Sequence, residues 1–451
     1  MNCILRGVRV IDPLAGRDDI NQDVWLTEGR IIAIFKYMGD STVPVIDLTP
    51  PPGGTPTILC PGFIDLHTHL REPGDEGAET LASGSRAAAA GGFAQVVAMA
   101  NTDPPIDDVD GVTKACVRSV AASIRVRVAA ALTRGLEGDE LVDLEACAEA
   151  GAVAFTDDGR NAVSQRLLSE AIRRAARLHR PILVHPEDEE YIGRINGAHG
   201  LTARCPVRPV EAETRAVALA LRALHDAGTG RLHLQHISSA PSIDLIREAR
   251  ADGVEVTAEV TPHHLAMWLP VAEEPESAAL LKVNPPLRGQ RDRAALIQAL
   301  RDGVVDAVAT DHAPHRAEEK ALPYAEAAPG MLGLELALAV CLTMGGMGGD
   351  WIPTLVERLT AGPYRVLGGA TSLLSEPRLV IGEAATCVLF DPGAEWTVGS
   401  EDLRSNSHNT PLLGITLRGR VLMTLVEGAL VHHDRRRLPW PLPTPTEPMR
   451  A

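Results

Sequence analysis

From Gly62 to about residue 350, short runs rich in small and β-branched apolar residues alternate with longer runs whose apolar positions recur near i, i+3, i+4 and i+7. The short runs predict eight strands: Gly62–His67, Ala94–Ala100, Arg125–Leu132, Ala152–Asp157, Pro181–His185, Arg231–His236, Val254–Val260 and Asp306–Asp311. Between them, stretches such as GDELVDLEACAEAG and SQRLLSEAIRRAARLH predict amphipathic helices. Eight strands alternating with helices is the pattern of a (β/α)8 barrel, so the chain reads as an α/β protein. A doubly wound sheet competes, but no G-x-G-x-x-G follows the first of these strands. Outside this region the strand pattern takes over. It runs through CILRGVRVID, QDVWLTEGRIIAIF and VPVIDLT, breaks at TPPPGGTP, and returns in RLVIGEAATCVLFDP, GITLRGRVLMTLVEG and ALVHH. The two flanks are expected to pair into one small β-sandwich domain. The organisation is therefore 1–60 as its first part, 61–370 as the barrel, and 371–451 as its second part with a loose Pro-rich tail, LPWPLPTPTEPMRA.

Composition narrows the function classes. The 451 residues are 45% hydrophobic and 23% charged, the balance of a globular protein with an ordinary core. A net charge of −16 without a Lys/Arg cluster argues against a nucleic-acid partner. No apolar run reaches the roughly 18 residues of a membrane span, and Arg6 and Arg9 come too soon for a signal peptide. Seven scattered Cys, none in C-x-x-C spacing, fit neither a disulfide framework nor a thiolate zinc site, which leaves a reducing, cytoplasmic compartment as the default.

In a (β/α)8 barrel the chemistry sits at the C-terminal ends of the strands. There the expected strands carry His67 and His69, Asp157 and Asp158, His185, His236 and Asp311. Residues i and i+2 of a strand share a face, so the two imidazoles of H-x-H can converge on one ion. Four His and at least two Asp at one mouth suit Zn²⁺ or a similar divalent metal. Each piece also has an ordinary use. H-x-H can be a polar strand end, FTDDG a turn, and ATDHAPH a loop with a helix cap, while His233, His263 and His264 show that the chain carries His elsewhere. The metal reading rests on their joint placement.

In this order GFIDLHTHLREPG, MANTDPP, FTDDG, EVTPHHL, VNPPLRG and ATDHAPH closely resemble the class I dihydroorotases of the cyclic amidohydrolase group, and the likeness continues to SHNTPLLGITLRGRVLMTLVEGALV. The resemblance implies a barrel plus a small β domain, agreeing with the pattern above. It implies reversible closure of N-carbamoyl-L-aspartate to (S)-dihydroorotate in pyrimidine synthesis, through a metal-activated hydroxide. By motif, His67, His69 and Asp311 are implied as ligands of a first metal, His185 and His236 of a second, and Asp158 as the bridge, with Asp157 a turn carboxylate. Asp311 doubles as general base and acid. The ions are implied as zinc, one or two per subunit, with the binuclear form favoured. Substrate recognition falls on His69, Arg71, Asn101, Asn284, His315 and the Pro329-Gly330 backbone, while Arg288 reads as structural. Three stretches depart from the family: MANT, Gln235-His236-Ile237-Ser238-Ser239, and AAPG, where Pro329 replaces an aromatic.

The nearest rivals are dihydropyrimidinase (hydantoinase) and allantoinase, which usually bridge their metals with a carboxylated Lys on strand 4. This chain has four Lys, at 36, 114, 282 and 320, so strand 4 has none to offer. A non-catalytic dihydroorotase-like scaffold predicts lost ligands, whereas all six positions are filled. The family likeness further implies a homodimer and makes aspartate transcarbamoylase a candidate partner, with no membrane or nucleic acid.

Overall fold

The structure is a computed structural model that describes residues 2–36, 39, 41–160, 163–198, 208–268, 279–343, 351–369 and 374–438. The Pro-rich tail and the division near residue 370 lie outside the described residues.

All eight expected barrel strands form; the first is shifted by one residue at equal length and the other seven are shorter than their apolar runs. They are β6 (Phe63–Thr68), β7 (Phe93–Ala98), β8 (Arg125–Ala130), β9 (Ala154–Thr156), β10 (Ile182–Val184), β11 (Leu232–Leu234), β12 (Val256–Val260) and β13 (Ala307–Val308). They pair in chain order as one parallel sheet. With β13 only two residues long, closure depends on the segment just after it. Thr68 bridges His312, the His69 N–H donates to the His312 carbonyl at 2.9 Å, and Thr310 donates its N–H (2.9 Å) and hydroxyl to the buried Asp65 carboxylate.

Alternation decides what each strand offers. On β6, Ile64 and Leu66 join an apolar cluster with Tyr364, Val366 and Leu367, while Asp65 and His67 occupy the other parity. That second parity is polar along several strands. Its members satisfy one another: His67 and His233 both reach Glu259, and Thr156 donates to Gln235.

The helix Gln165–Arg177 shows why the intervening runs are helical. Ser164 caps it by accepting from Leu167 N, and Leu168, Ala171, Ile172 and Ala175 form its buried stripe. GDELVDLEACAEAG is helical only over Leu144–Glu149. The Asp143 side chain accepts from Ala146 N and so starts the helix there, while Leu141 pairs with Thr133.

The chain ends meet as expected. β1 (Asn2–Asp12), β2 (Arg17–Thr27), β3 (Arg30–Phe35), β4 (Val45–Asp47) and β5 (Ile58–Pro61) share one sheet with β14 (Cys387–Thr397), β15 (Thr416–Val426) and β16 (Ala429–His433). Antiparallel pairing of β14 with β5 joins the two flanks, and β4 branches off β1. Leu5, Val10, Leu26, Leu59, Leu389 and Leu425 belong to one core beneath this sheet. Among the described residues no helix is long and apolar enough to cross a membrane, and all six described cysteines are free.

Candidate active site

Every expected ligand sits within three residues of a strand's C-terminal end. His67 is on β6 and His69 just past it; Asp158 follows β9, His185 follows β10, His236 follows β11 and Asp311 follows β13. The barrel brings all six together, and all are buried. Asp158 is the hub: its carboxylate lies 3.2 Å from His67 Nε2, 3.4 Å from His69 Nε2, 3.5 Å from His185 Nδ1 and 3.8 Å from His236 Nε2. It therefore belongs to two groups with metal-compatible geometry, one with His67 and His69, the other with His185 and His236. Asp311 joins the first, 3.1 Å from His69 Nε2 and 3.6 Å from His67 Nε2.

Three histidines have one ring nitrogen directed away to an oxygen. His67 Nδ1 faces Glu259 at 3.0 Å, His69 Nδ1 faces the Asn101 side-chain oxygen at 3.0 Å, and His185 Nε2 faces Glu187 at 3.3 Å. An N–H donated outward leaves the other nitrogen's lone pair facing the centre, which is how proteins orient metal-ligating imidazoles. At the centre, buried His67 Nε2 and Asp158 Oδ1 have no hydrogen-bond partner. A cation there would satisfy both, so the donor set fits a divalent metal.

The electrostatics point the same way. Burial alone would raise the carboxyl pKa values and lower the imidazole ones. Against it, His67 holds Asp158 well below the usual carboxylate range, and His67 and His69 do so for Asp311. In return Asp158 and Asp311 lift His67 well above the ordinary histidine value, and Asp158 with Glu187 lifts His185 to about 9. His69 goes the other way, lowered by burial and by Arg71 against the pull of Asp311. The backbone is strained here too: Arg71, His236 and Asp311 adopt left-handed φ of 56°, 31° and 47°.

The residues expected to hold substrate divide into two sets. Arg71 and His315 lie together beside Asp311. Arg71 Nε donates to the Pro314 carbonyl, and its Nη2 is 3.3 Å from His315 Nε2. Burial first, then Arg71, pushes the His315 imidazole down to about 3, so it is neutral. The Pro329 carbonyl lies 2.9 Å from His315 Nε2, and Gly330 follows with φ 138°. A Cβ on Gly330 would come within 2.6 Å of the Ala313 Cβ and 3.0 Å of His315 Nε2, so only glycine fits. Asn101 sits between ligands instead: its Nδ2 donates to the Asp158 carbonyl and carboxylate at 3.3 and 3.2 Å. Its amide braces His69 and Asp158. Asn284 is half-buried and precedes Pro285, whose carbonyl takes His264 Nε2 at 3.0 Å.

Asp157 turns away from the centre, accepting from Leu132 N, Thr133 N and the Thr133 hydroxyl. Arg288 donates to Ser238 Oγ and the Arg208 carbonyl, a structural role. Sequence reasoning missed Glu259, Glu187, Asn409 and Glu79. It also gave no weight to His263, which burial pushes down to about 4 and whose Nε2 has no partner. A third group, His185, Glu187 and Glu189, has metal-compatible spacing, but Arg208 reaches both of its carboxylates.

A family model described as dihydro-orotase-like matches residues 56–206. A protein named dihydroorotase from Anaeromyxobacter dehalogenans is 39% identical over 436 residues, covering 95% of this chain and 98% of that one. The dihydroorotase of Aquifex aeolicus is 36% identical over 441 residues, covering 96% and 100%. Among solved structures, the L-hydantoinase (dihydropyrimidinase) from Arthrobacter aurescens superposes with a TM-score of 0.82 at 24% identity, covering 96% of each chain, which is a likeness of fold.

Proposed function

The chain belongs to the dihydroorotase family of cyclic amidohydrolases, and from that premise we propose which of its residues carry the reaction. The enzyme interconverts N-carbamoyl-L-aspartate and (S)-dihydroorotate. His67, His69 and Asp311 would hold one divalent metal, His185 and His236 a second, and Asp158 would bridge them. The carrying observation is that Asp158 alone belongs to both ligand groups. When bound, such ions lower the pKa of water from 15.7 to about 7 and polarise the carbonyl under attack. The N/O donor set supports Zn²⁺ in a binuclear arrangement.

Asp311 is the acid–base group. In ring opening it takes a proton from the attacking water and returns it to the ring nitrogen as the carbon–nitrogen bond breaks; in closure the order reverses. His67 and His69 hold it in the ionised form that a base needs. Arg71 offers a fork for the substrate carboxylate, with His315 and the Pro329-Gly330 backbone beside it, and Asn284 is a further substrate contact. His69 and Asn101 border the same space. A homodimer and association with aspartate transcarbamoylase are proposed on the family likeness, and a cytoplasmic setting is supported by the free cysteines.

The test compares dihydroorotate, dihydrouracil, hydantoin and allantoin on metal-repleted enzyme, with Arg71→Ala beside wild type. Preference for dihydroorotate is expected, with kcat/KM falling about 10- to 100-fold in the variant, from the roughly 1.5–3 kcal/mol of a charged hydrogen bond. Equal turnover of the carboxylate-free rings would sink the carboxylate clamp. Silence on all four would bring back the scaffold reading.

A further inference from the structure

We propose that Glu79 is a positioning residue for Asp311, acting through His312, and that the Ser405–Asn406 segment fixes Glu79 in turn. The inference rests on the acid–base role given to Asp311 above.

Asp311 is a non-glycine residue at φ 47°, a conformation that persists only where neighbours over-determine it. The preceding Thr310 is pinned by Asp65. On the other side, everything depends on His312. Its N–H donates to Thr310 Oγ1 at 3.0 Å and its carbonyl accepts from His69 N at 2.9 Å. Its ring has a single consistent proton arrangement. Nδ1 accepts from Gly333 N (3.2 Å) and Leu334 N (3.4 Å), so Nε2 carries the hydrogen and donates to Glu79 at 3.2 Å. Gly333 is needed for this approach, because a Cβ there would come within 2.7 Å of the Thr310 Cβ.

Glu79 is fully buried, lies just before the helix Leu81–Ala90, and belongs to neither ligand group. A buried carboxylate is costly unless its lone pairs are engaged. Here the Ser83 and Ser405 hydroxyls, Asn406 N (3.2 Å) and His312 engage them. Two of those donors come from a segment more than 300 residues away in sequence, at |i−j| of 326 and 327. This charged junction far along the chain thus terminates on the residue next to the acid–base carboxylate. Proton transfer in both directions requires Asp311 to meet water and ring nitrogen in one orientation, and a misplacement of about 1 Å costs on the order of 100-fold.

The experiment uses full-length, metal-repleted enzyme and four variants: Glu79→Gln, His312→Asn, the double variant, and the milder Ser405→Ala. Asn at 312 keeps an acceptor for Gly333 N and removes the arm that reaches Glu79. Measured for each are kcat and KM in both directions, bound metal per chain, and Tm. The proposal expects kcat to fall about 10- to 100-fold in each of the first two single variants, KM to stay within about threefold, and metal content to match wild type. The double variant should be no worse than the poorer single one, because both cut the same connection. Ser405→Ala should lose about three- to tenfold in kcat at unchanged KM, a readout available even if Glu79→Gln folds poorly. Multiplying losses in the double variant, a rise in KM alone, or a kcat loss that follows lost metal would each overturn the proposal. Wild-type enzyme inactive on dihydroorotate would overturn the parent reading and this one together. Active wild type with unaltered variants overturns this one alone.

Discussion

Asp157 and Asp158 are adjacent, both buried, and should fail in opposite ways when truncated. Asp157 staples the end of β9 to the segment after β8, taking Leu132 N at 2.9 Å, Thr133 N at 3.0 Å and the Thr133 hydroxyl. Asp157→Ala strands two backbone N–H groups and a hydroxyl, each worth about 1–3 kcal/mol when buried and unpaired. With water entering the gap the net loss is about 3–5 kcal/mol. Unfolding entropy of about 2.1 cal/mol/K per residue makes that a Tm drop of about 3–5 °C for a chain of this length. Catalysis below that temperature should stay within about threefold of wild type. Asp158→Ala removes a carboxylate that faces four histidines and Asn101 at the centre of the site. Activity should fall at least about 10³-fold, since on the proposed assignment several kcal/mol of transition-state stabilisation would depend on the metals that Asp158 helps to hold. Calorimetry on chelated protein and kinetics on metal-repleted protein separate the two. An Asp157→Ala enzyme that folds yet loses 100-fold in kcat, or an Asp158→Ala enzyme retaining a tenth of wild-type activity, would refute the division of labour.

Burial raises the Glu335 carboxyl to about 7, only partly offset by the Arg404 and Ser405 N–H groups. The fold therefore favours its protonated form. That contribution is complete below the ordinary value of 4.5 and is lost as pH rises through about 7. Glu335→Gln should flatten the decline of Tm over this window and be more stable than wild type at pH 8, by up to about 3 kcal/mol; equal pH profiles would count against it. Chelation should lower Tm by about 4 °C, and refilling restore it, if free metal had stood about 1,000-fold above its Kd. Asn409 accepts from His315 N at 3.1 Å and donates to the Ala313 and Gly330 carbonyls at 3.0 and 3.2 Å. Asn409→Ala should therefore raise KM for dihydroorotate about tenfold with kcat within about threefold, because it loosens the carboxylate clamp and not the acid–base group.

The barrel was legible because its apolar runs alternate with helical ones, and five of the eight runs end on His or Asp. Local alternation told which residues share a face, and the six residues expected as ligands do come together. What lay hidden was contact between distant strands. Glu259 sits in VEVTAEV at a parity that reads as solvent-facing, yet it is fully buried because that face turns toward His67 and His233. A charged residue inside a strand of a closed barrel was the available signal. Asn101, which the motif assigns to substrate, also has both ends of its amide engaged, with His69 and Asp158, a contact the motif did not announce. Glu79 and Asn409 were invisible for another reason. Their importance comes from partners hundreds of residues apart or from backbone groups, which no side-chain pattern announces.

Because His67 is on β6 and Asp311 follows β13, the two ends of the proposed ligand set meet at the seam where the barrel closes. During synthesis, then, His67 and His69 leave the ribosome long before the carboxylate that faces them. The proposed first metal group would not be complete until the last barrel strand has been made, and the Ser405–Asn409 brace arrives later still. On the proposed ligand set, metal capture would be coupled to completion of the ring: a half-made chain would have no finished trap for the ion, and time-resolved metal uptake during refolding would serve as a clock for closure.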